Sequence, residues 1–408
     1  MENEKLRRYA ELLAKRGIGV KKGQEIWVDC AIDQPAFIAM VVEELYKAGA
    51  GKVVVDWTSD EVSRLHYTYR SLETLSKVDS IALSRYEFAV ENLPARLHII
   101  SSDPDAMAGI DQEKVSKASQ ATYPIIRPYI KKLENKYQWC IAAVPGRAWA
   151  KKVFPDLEPD AAVEKLWEVI LSCSRADNDD PVAAWDYHNA DLAQRCAYLN
   201  SKKLRTLRYH SANGTDLTVG LMAESRFAGG NEESLIGDVF NPNIPSEEVF
   251  TSPKRGVAEG IVYATKPLSY RGELIENFSL RFEGGRVVEV KAERGEELLR
   301  KMISMDAGAA MLGECALISE ESPINKTGVL FYNTLFDENA SCHLALGRGF
   351  PDCIADYEKY TQDDYDKMGL NDSMIHVDFM IGAPDLSIIG VTDTGEEIEL
   401  FRNGTWAF

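Results

Sequence analysis

What the chain lacks narrows its chemistry first. No two of its seven cysteines (Cys30, Cys140, Cys173, Cys196, Cys315, Cys342, Cys353) form a CxxC pair. Neither a disulfide framework nor a thiolate zinc site is therefore expected. Basic residues are in deficit, with 46 Lys and Arg against 64 Asp and Glu and a net charge of −18. Such a chain repels polyanions, which argues against nucleic acid and anionic membrane surfaces as partners. No stretch approaches the roughly 18 apolar residues of a membrane helix. The opening MENEKLRRYAELL lacks the basic-then-apolar order of a signal peptide, so a cytoplasmic protein with reduced thiols is expected. Phosphate-binding glycines are missing as well. The first strand leads into Asp29-Cys30-Ala31-Ile32-Asp33-Gln34, and no GxxxxGK[ST] occurs anywhere, so a nucleotide site is not expected.

What is present is a soluble globular composition, 45% hydrophobic and 27% charged, over 408 residues, long enough for two or three domains. Apolar positions at helical spacing over residues 3–16 stop at Gly17. A strand at Ile26–Val28, a helix from Pro35 to Gly49, and strands at Val53–Asp56, Leu97–Ser101 and Trp139–Val144 follow. Alternation of this kind predicts a parallel sheet covered by helices. Helices are expected over Ala161–Ser174 and Pro181–Lys202. Beyond residue 204 the period changes. Leu204–His210, the Asn213-Gly214 turn and Leu217–Leu221 make a hairpin signature. Strands are expected at Phe278–Phe282, Val287–Lys291, Val329–Phe336 and His376–Gly382, with a helix over Glu296–Leu312. The fold class is α/β: a mostly parallel N-terminal α/β domain (residues 1–200) as scaffold or interface, then a β-rich α+β domain (201–408).

The candidate chemistry lies in the second domain. Of six histidines, His66, His98, His188 and His210 have no acidic pattern beside them and read as packing or surface residues. His376-Val377-Asp378 lies in a strand, so His376 and Asp378 point to one side, either as a hydrogen-bonded pair or as ligands. Glu338 and His343 stand five apart in Asp337-Glu338-Asn339-Ala340-Ser341-Cys342-His343, which reads as converging ligands on a loop or as a charged turn. Glu314 is placed at a helix C-terminus, where the dipole disfavours an acid. Glu247 and Glu248 follow Ser246 and read alternatively as the first turn of a capped helix. Together Glu248, Glu314, Glu338, His343, His376 and Asp378 supply oxygen and nitrogen donors suited to zinc, cobalt or manganese. Two ions need a bridging carboxylate and open positions for water, and six ligands meet that need.

The runs NPNIPSEEVFTSP, LGECALI, FYNTLFDENASCHLALG, HVDFMIG and the ending FRNGTWAF resemble the thermophilic aminopeptidase family, of the aminopeptidase S, aminopeptidase T and PepS types. DPDAMAGID and AWAKKVFP extend the resemblance into the N-terminal half. It implies a two-domain metallopeptidase that removes N-terminal residues from small peptides and works as a homodimer enclosing its active sites. Two divalent ions per subunit would be held by Glu248, Glu314, His343, His376 and Asp378, with Glu338 as sixth ligand or proton-transfer group. Glu314 or Glu338 would relay the proton to the leaving amine. Another amide hydrolysis (a dipeptidase or amidohydrolase) and a non-catalytic metal-stabilised peptide binder are the alternatives. One departure stands out: the family often carries a tyrosine seven residues after the first histidine, and this chain has Phe350 there. Tyr357, Tyr360 and Arg348 are nearby groups that could compensate.

Overall fold

The computed structural model describes residues 3–101 and 103–408. It divides into two compact units, one running to Tyr187 and joined by Asn231–Pro245, the other made of His188–Gly230 and Ser246–Phe408.

In the first unit the opening helix Asn3–Leu12 continues through a wider turn to Ile18 and stops at Gly19 rather than Gly17. Gly19 has φ 62°, and a Cβ there would meet the Val239 carbonyl oxygen at 2.3 Å, so the chain turns where only glycine fits. Strands β1 (Glu25–Ala31), β2 (Lys52–Thr58), β3 (Ala95–Ile100) and β4 (Trp139–Ala143) run parallel in the order β2-β1-β3-β4. The two-residue strand Asn243–Ile244 extends the sheet beside β4. Helices occupy each crossover, as the alternating pattern requires. Tyr9 stacks on Phe37 at 5.4 Å, and Phe37 meets Trp167 edge-on at 5.2 Å, in a helix layer fully removed from water.

Besides the two-stranded ribbon of Leu268–Tyr270 and Glu273–Ile275, the second unit contains two antiparallel sheets among the described residues. The larger has eight strands, beginning with the expected hairpin Leu204–His210 and Asp216–Leu221. The smaller has four, in chain order: β5 (Val249–Thr251), β6 (Leu312–Leu317), β7 (His343–Gly347) and β8 (His376–Met380). One continuous apolar cluster joins them, with Leu207, Tyr209, Val219 and Phe282 from the larger sheet and Cys315, Leu344, Leu346, Val377 and Phe379 from the smaller. One face of the small sheet is thus committed to the core. The other is left for polar chemistry.

Three expected elements differ. The helix expected over Glu296–Leu312 ends at Ile303. Asp306 accepts hydrogen bonds from the N–H groups of Gly308, Ala309 and Met374 and from the Ser373 hydroxyl, which turns the chain and frees Leu312 onward to form β6. The strand expected over Val329–Phe336 is instead a loop followed by the short helix Thr334–Asp337. The buried Asp337 carboxylate accepts from the Phe331 and Asn333 N–H groups and curls the segment onto itself. No helix follows Ser246, because the segment enters β5 directly.

Candidate metal centre

Glu314 lies inside β6, every residue of which is buried, and not at the end of a helix. Its orientation depends on Gly313. Leu312 pairs with Leu346 and Glu314 with Ala345, so the register slips by one residue at Gly313. That bulge turns Leu312 into the core and Glu314 to the opposite face. A Cβ at Gly313 would sit 2.2 Å from the Arg348 carbonyl oxygen and 2.4 Å from that of Gly347. Across the sheet, Ala345 pairs with Asp378, Gly347 with His376, and Ala316 with His343. Directly paired residues share a face, so Glu314, His343, His376 and Asp378 converge there. Ala345, Ala316 and Gly347 between them are small enough to leave the polar side chains room.

Both imidazoles are held the same way. His343 Nδ1 lies 2.8 Å from the Glu338 carbonyl oxygen, and His376 Nδ1 lies 2.8 Å from the Arg348 carbonyl oxygen. A carbonyl can only accept, so each Nδ1 carries the proton and each Nε2 turns toward the acids. His376 Nε2 is 3.0 Å from Glu314 Oε2 and 3.1 Å from Asp378 Oδ1. His343 Nε2 is 3.4 Å from Glu248 Oε2 and 3.9 Å from Glu314 Oε1. Two groups of possible ligands result, Glu248–Glu314–His343 and Glu314–His376–Asp378, with donor atoms in each within 4.8 Å of one another. Glu314 belongs to both, presenting one carboxylate oxygen to each.

The electrostatics call for a cation. Four acids gather around two imidazoles, and Asp378 Oδ1 is buried with the His376 Nε2 3.1 Å away. Burial opposes charge on His376, but Asp378 and Glu314 together outweigh it and hold the imidazolium well above its ordinary range. Burial would likewise raise Asp378, yet the neighbouring His376 draws it below the usual carboxylate range. A proton supplies the missing positive charge when nothing else does. A divalent ion with oxygen and imidazole ligands suits the same donors, because each Nε2 is turned toward carboxylate oxygen.

Glu338 belongs to neither group. It lies in the single turn Glu338–Ala340, beside Asp378, with which it shares a hydrogen bond. Burial, then the charges of Asp378, Glu248 and Glu314, push its carboxyl well above the usual range. Glu247 also stands apart. Its N–H donates to Asn339 Oδ1 at 2.8 Å, and its carboxylate lies 3.9 Å from His188 Nε2. The sequence pattern places His188 among packing or surface residues and gives Asn339 no role of its own. His188 Nε2 donates to the Ser246 carbonyl at 2.7 Å, a contact with no local sequence signal.

The family described as thermophilic metalloprotease (M29) matches residues 2–406. The chain belongs to this family. Among curated M29 relatives, aminopeptidase AmpS of Bacillus subtilis is 39% identical over 100% of this chain and 99% of its own. Aminopeptidase 2 of Geobacillus stearothermophilus is 38% identical over 99% and 98%. The solved structure of AmpT from Thermus thermophilus superposes over 100% of both chains at a TM-score of 0.89 with 36% identity. The chain is accordingly a peptide hydrolase of a metalloprotease family, with the α/β architecture expected of it. No helix among the described residues is long and apolar enough to cross a membrane.

Phe350 lies beside this candidate site. The Phe350 ring lies 4.8 Å from that of His376 and meets Phe250 edge-on at 6.0 Å, while its N–H donates to Ser252 Oγ. Tyr357 and Tyr360 pack in a separate small cluster with Met222, Ile354 and Leu370. Arg348 contributes its backbone carbonyl to His376.

Proposed function

We propose that the chain is a two-metal aminopeptidase, with Glu314 as the ligand common to both ions. Glu248 and His343 would complete one ion's protein ligands, and His376 and Asp378 the other's. The observation that carries this reading is the sharing of Glu314 between two ligand groups whose imidazole Nε2 atoms both face acids. Zinc, cobalt and manganese all suit the donors. When bound, such ions supply an acidified water and a polarised carbonyl.

The chain's own part is positioning and proton handling. The Nδ1–carbonyl bonds fix both rings. Glu338, beside Asp378 yet outside both ligand groups, is the proton donor for the leaving amine. Phe350 covers His376 with an apolar ring and restricts water there. Small unblocked peptides as substrate and a homodimeric assembly complete the reading.

The test is metal-dependent release of the N-terminal residue from an unblocked peptide, with its N-acetylated counterpart as control. Equal cleavage of the blocked peptide would favour a general amidohydrolase. Metal binding without any release would favour a peptide-binding protein.

A further inference from the structure

Asn339 is completely buried, and its side chain bonds through both the amide nitrogen and the oxygen. Its Nδ2 donates to the Leu335 carbonyl at 3.0 Å and to Glu338 Oε1 at 3.3 Å. Its Oδ1 accepts the Glu247 N–H at 2.8 Å, and its own carbonyl accepts from the Ser322 hydroxyl at 2.8 Å. Two segments remote in sequence are tied together through this one amide. The first is the turn carrying Glu338, whose carbonyl also anchors His343 Nδ1. The second is Ser246-Glu247-Glu248, which enters β5 with Glu248 3.4 Å from His343. The Ser246–Glu248 stretch precedes β5, which begins at Val249, and within it His188 holds the Ser246 carbonyl while Asn339 holds the Glu247 N–H.

We propose that Asn339 is a positioning residue that sets Glu248 against His343 and, through the same amide, orients the Glu338 carboxyl. The geometry favours an amide over the alternatives. The Glu247 N–H is met by an acceptor, whereas the Leu335 carbonyl and Glu338 Oε1 are met by two donors, and only an asparagine or glutamine side chain offers two donors with an acceptor. Glutamine is one methylene longer, and the site has no exposed surface into which to bulge. Because a buried N–H left unpaired costs free energy, loss of the Asn339 acceptor would let the Glu247–Glu248 backbone rotate toward another partner. Glu248 would then leave His343.

The inference rests on the two-metal reading, and the experiment separates the two. Metal-free protein is titrated with cobalt(II), following the visible absorption of bound cobalt and its affinity against a competing chelator, for wild type, Asn339→Ala and Asn339→Asp. Outer-sphere partners of metal ligands typically contribute about 10–100-fold in affinity. Asn339→Ala is expected to bind cobalt more weakly by that factor with an altered absorption band. Saturating cobalt should restore kcat in part, with KM for an unblocked peptide unchanged. Asn339→Asp preserves shape and the acceptor toward Glu247 but loses both donors. It guards against a folding failure of the alanine variant and is expected to shift the band and lower kcat. Wild-type affinity and band in both variants, with only thermal stability reduced, would make Asn339 a structural residue and overturn the proposal. Failure of wild type itself to bind cobalt would instead sink the two-metal reading, and this inference with it.

Discussion

Gly313 lies so close to Arg348 that a Cβ on the glycine would stand 2.2 Å from the arginine carbonyl oxygen. The same carbonyl accepts the His376 Nδ1–H. One backbone atom therefore limits the bulge that aims Glu314 and also anchors the ring of a second candidate ligand. Gly313→Ala is expected to disturb both. Forcing a methyl into packed backbone typically costs about 1–3 kcal/mol. The loss of activity should exceed what that destabilisation explains when assayed well below the melting temperature. An unfolding curve and a kcat measurement on the same preparation check this. Full activity in a destabilised variant would detach the bulge from the site.

Glu247 and Glu248 are adjacent acids with different surroundings. Glu248 faces His343 at 3.4 Å, whereas the Glu247 carboxylate stands 3.9 Å from His188. Glu248→Gln is expected to lose metal affinity and most activity. Glu247→Gln retains its N–H to Asn339 and should be far milder, within about 1 kcal/mol in stability, because an ion pair as long as 3.9 Å contributes little. Parallel kcat and metal-content measurements decide the register. Equal losses would show that the two acids serve the site together.

Phe350 sits over His376 without a hydroxyl to offer. Tyr357 and Tyr360 belong to the cluster around Met222, Ile354 and Leu370, which favours a missing donor over a substituted one. Removing one donor to a developing oxyanion typically costs about 10²–10³ in kcat. Phe350→Tyr should therefore raise kcat on an unblocked peptide, by a factor up to that range. An unchanged kcat, with a collapse in Tyr357→Phe or Tyr360→Phe, would place the donor elsewhere.

Much of this was legible in the amino-acid pattern, and the misreadings have physical causes. The parallel sheet follows from strand–helix alternation, and the shared face of His376 and Asp378 from the two-residue period of a strand. The pattern puts Glu314 at a helix end because Glu296–Leu312 reads as helical throughout. The break at Asp306 depends on Ser373 and Met374, remote residues that no local pattern announces. Val329–Phe336 reads as a strand because its residues are apolar, and the buried Asp337 carboxylate curls it instead. Ser246 followed by two acids looks like a helix cap. Its true partners, His188 and Asn339, come from elsewhere in the chain. The sharing of Glu314 between two groups emerges only when three strands are laid side by side.

That sharing is the central claim, and one measurement addresses it most directly. Metal-free wild type and Glu314→Gln are each loaded with cobalt(II), and bound metal per chain is counted by elemental analysis after removal of the excess. If Glu314 gives one oxygen to each ion, wild type holds two equivalents, and the single substitution lowers occupancy of both sites together, because a neutral amide cannot bridge two cations. Loss of one equivalent only, with the other bound as in wild type, would show that Glu314 serves a single ion and contradict the account.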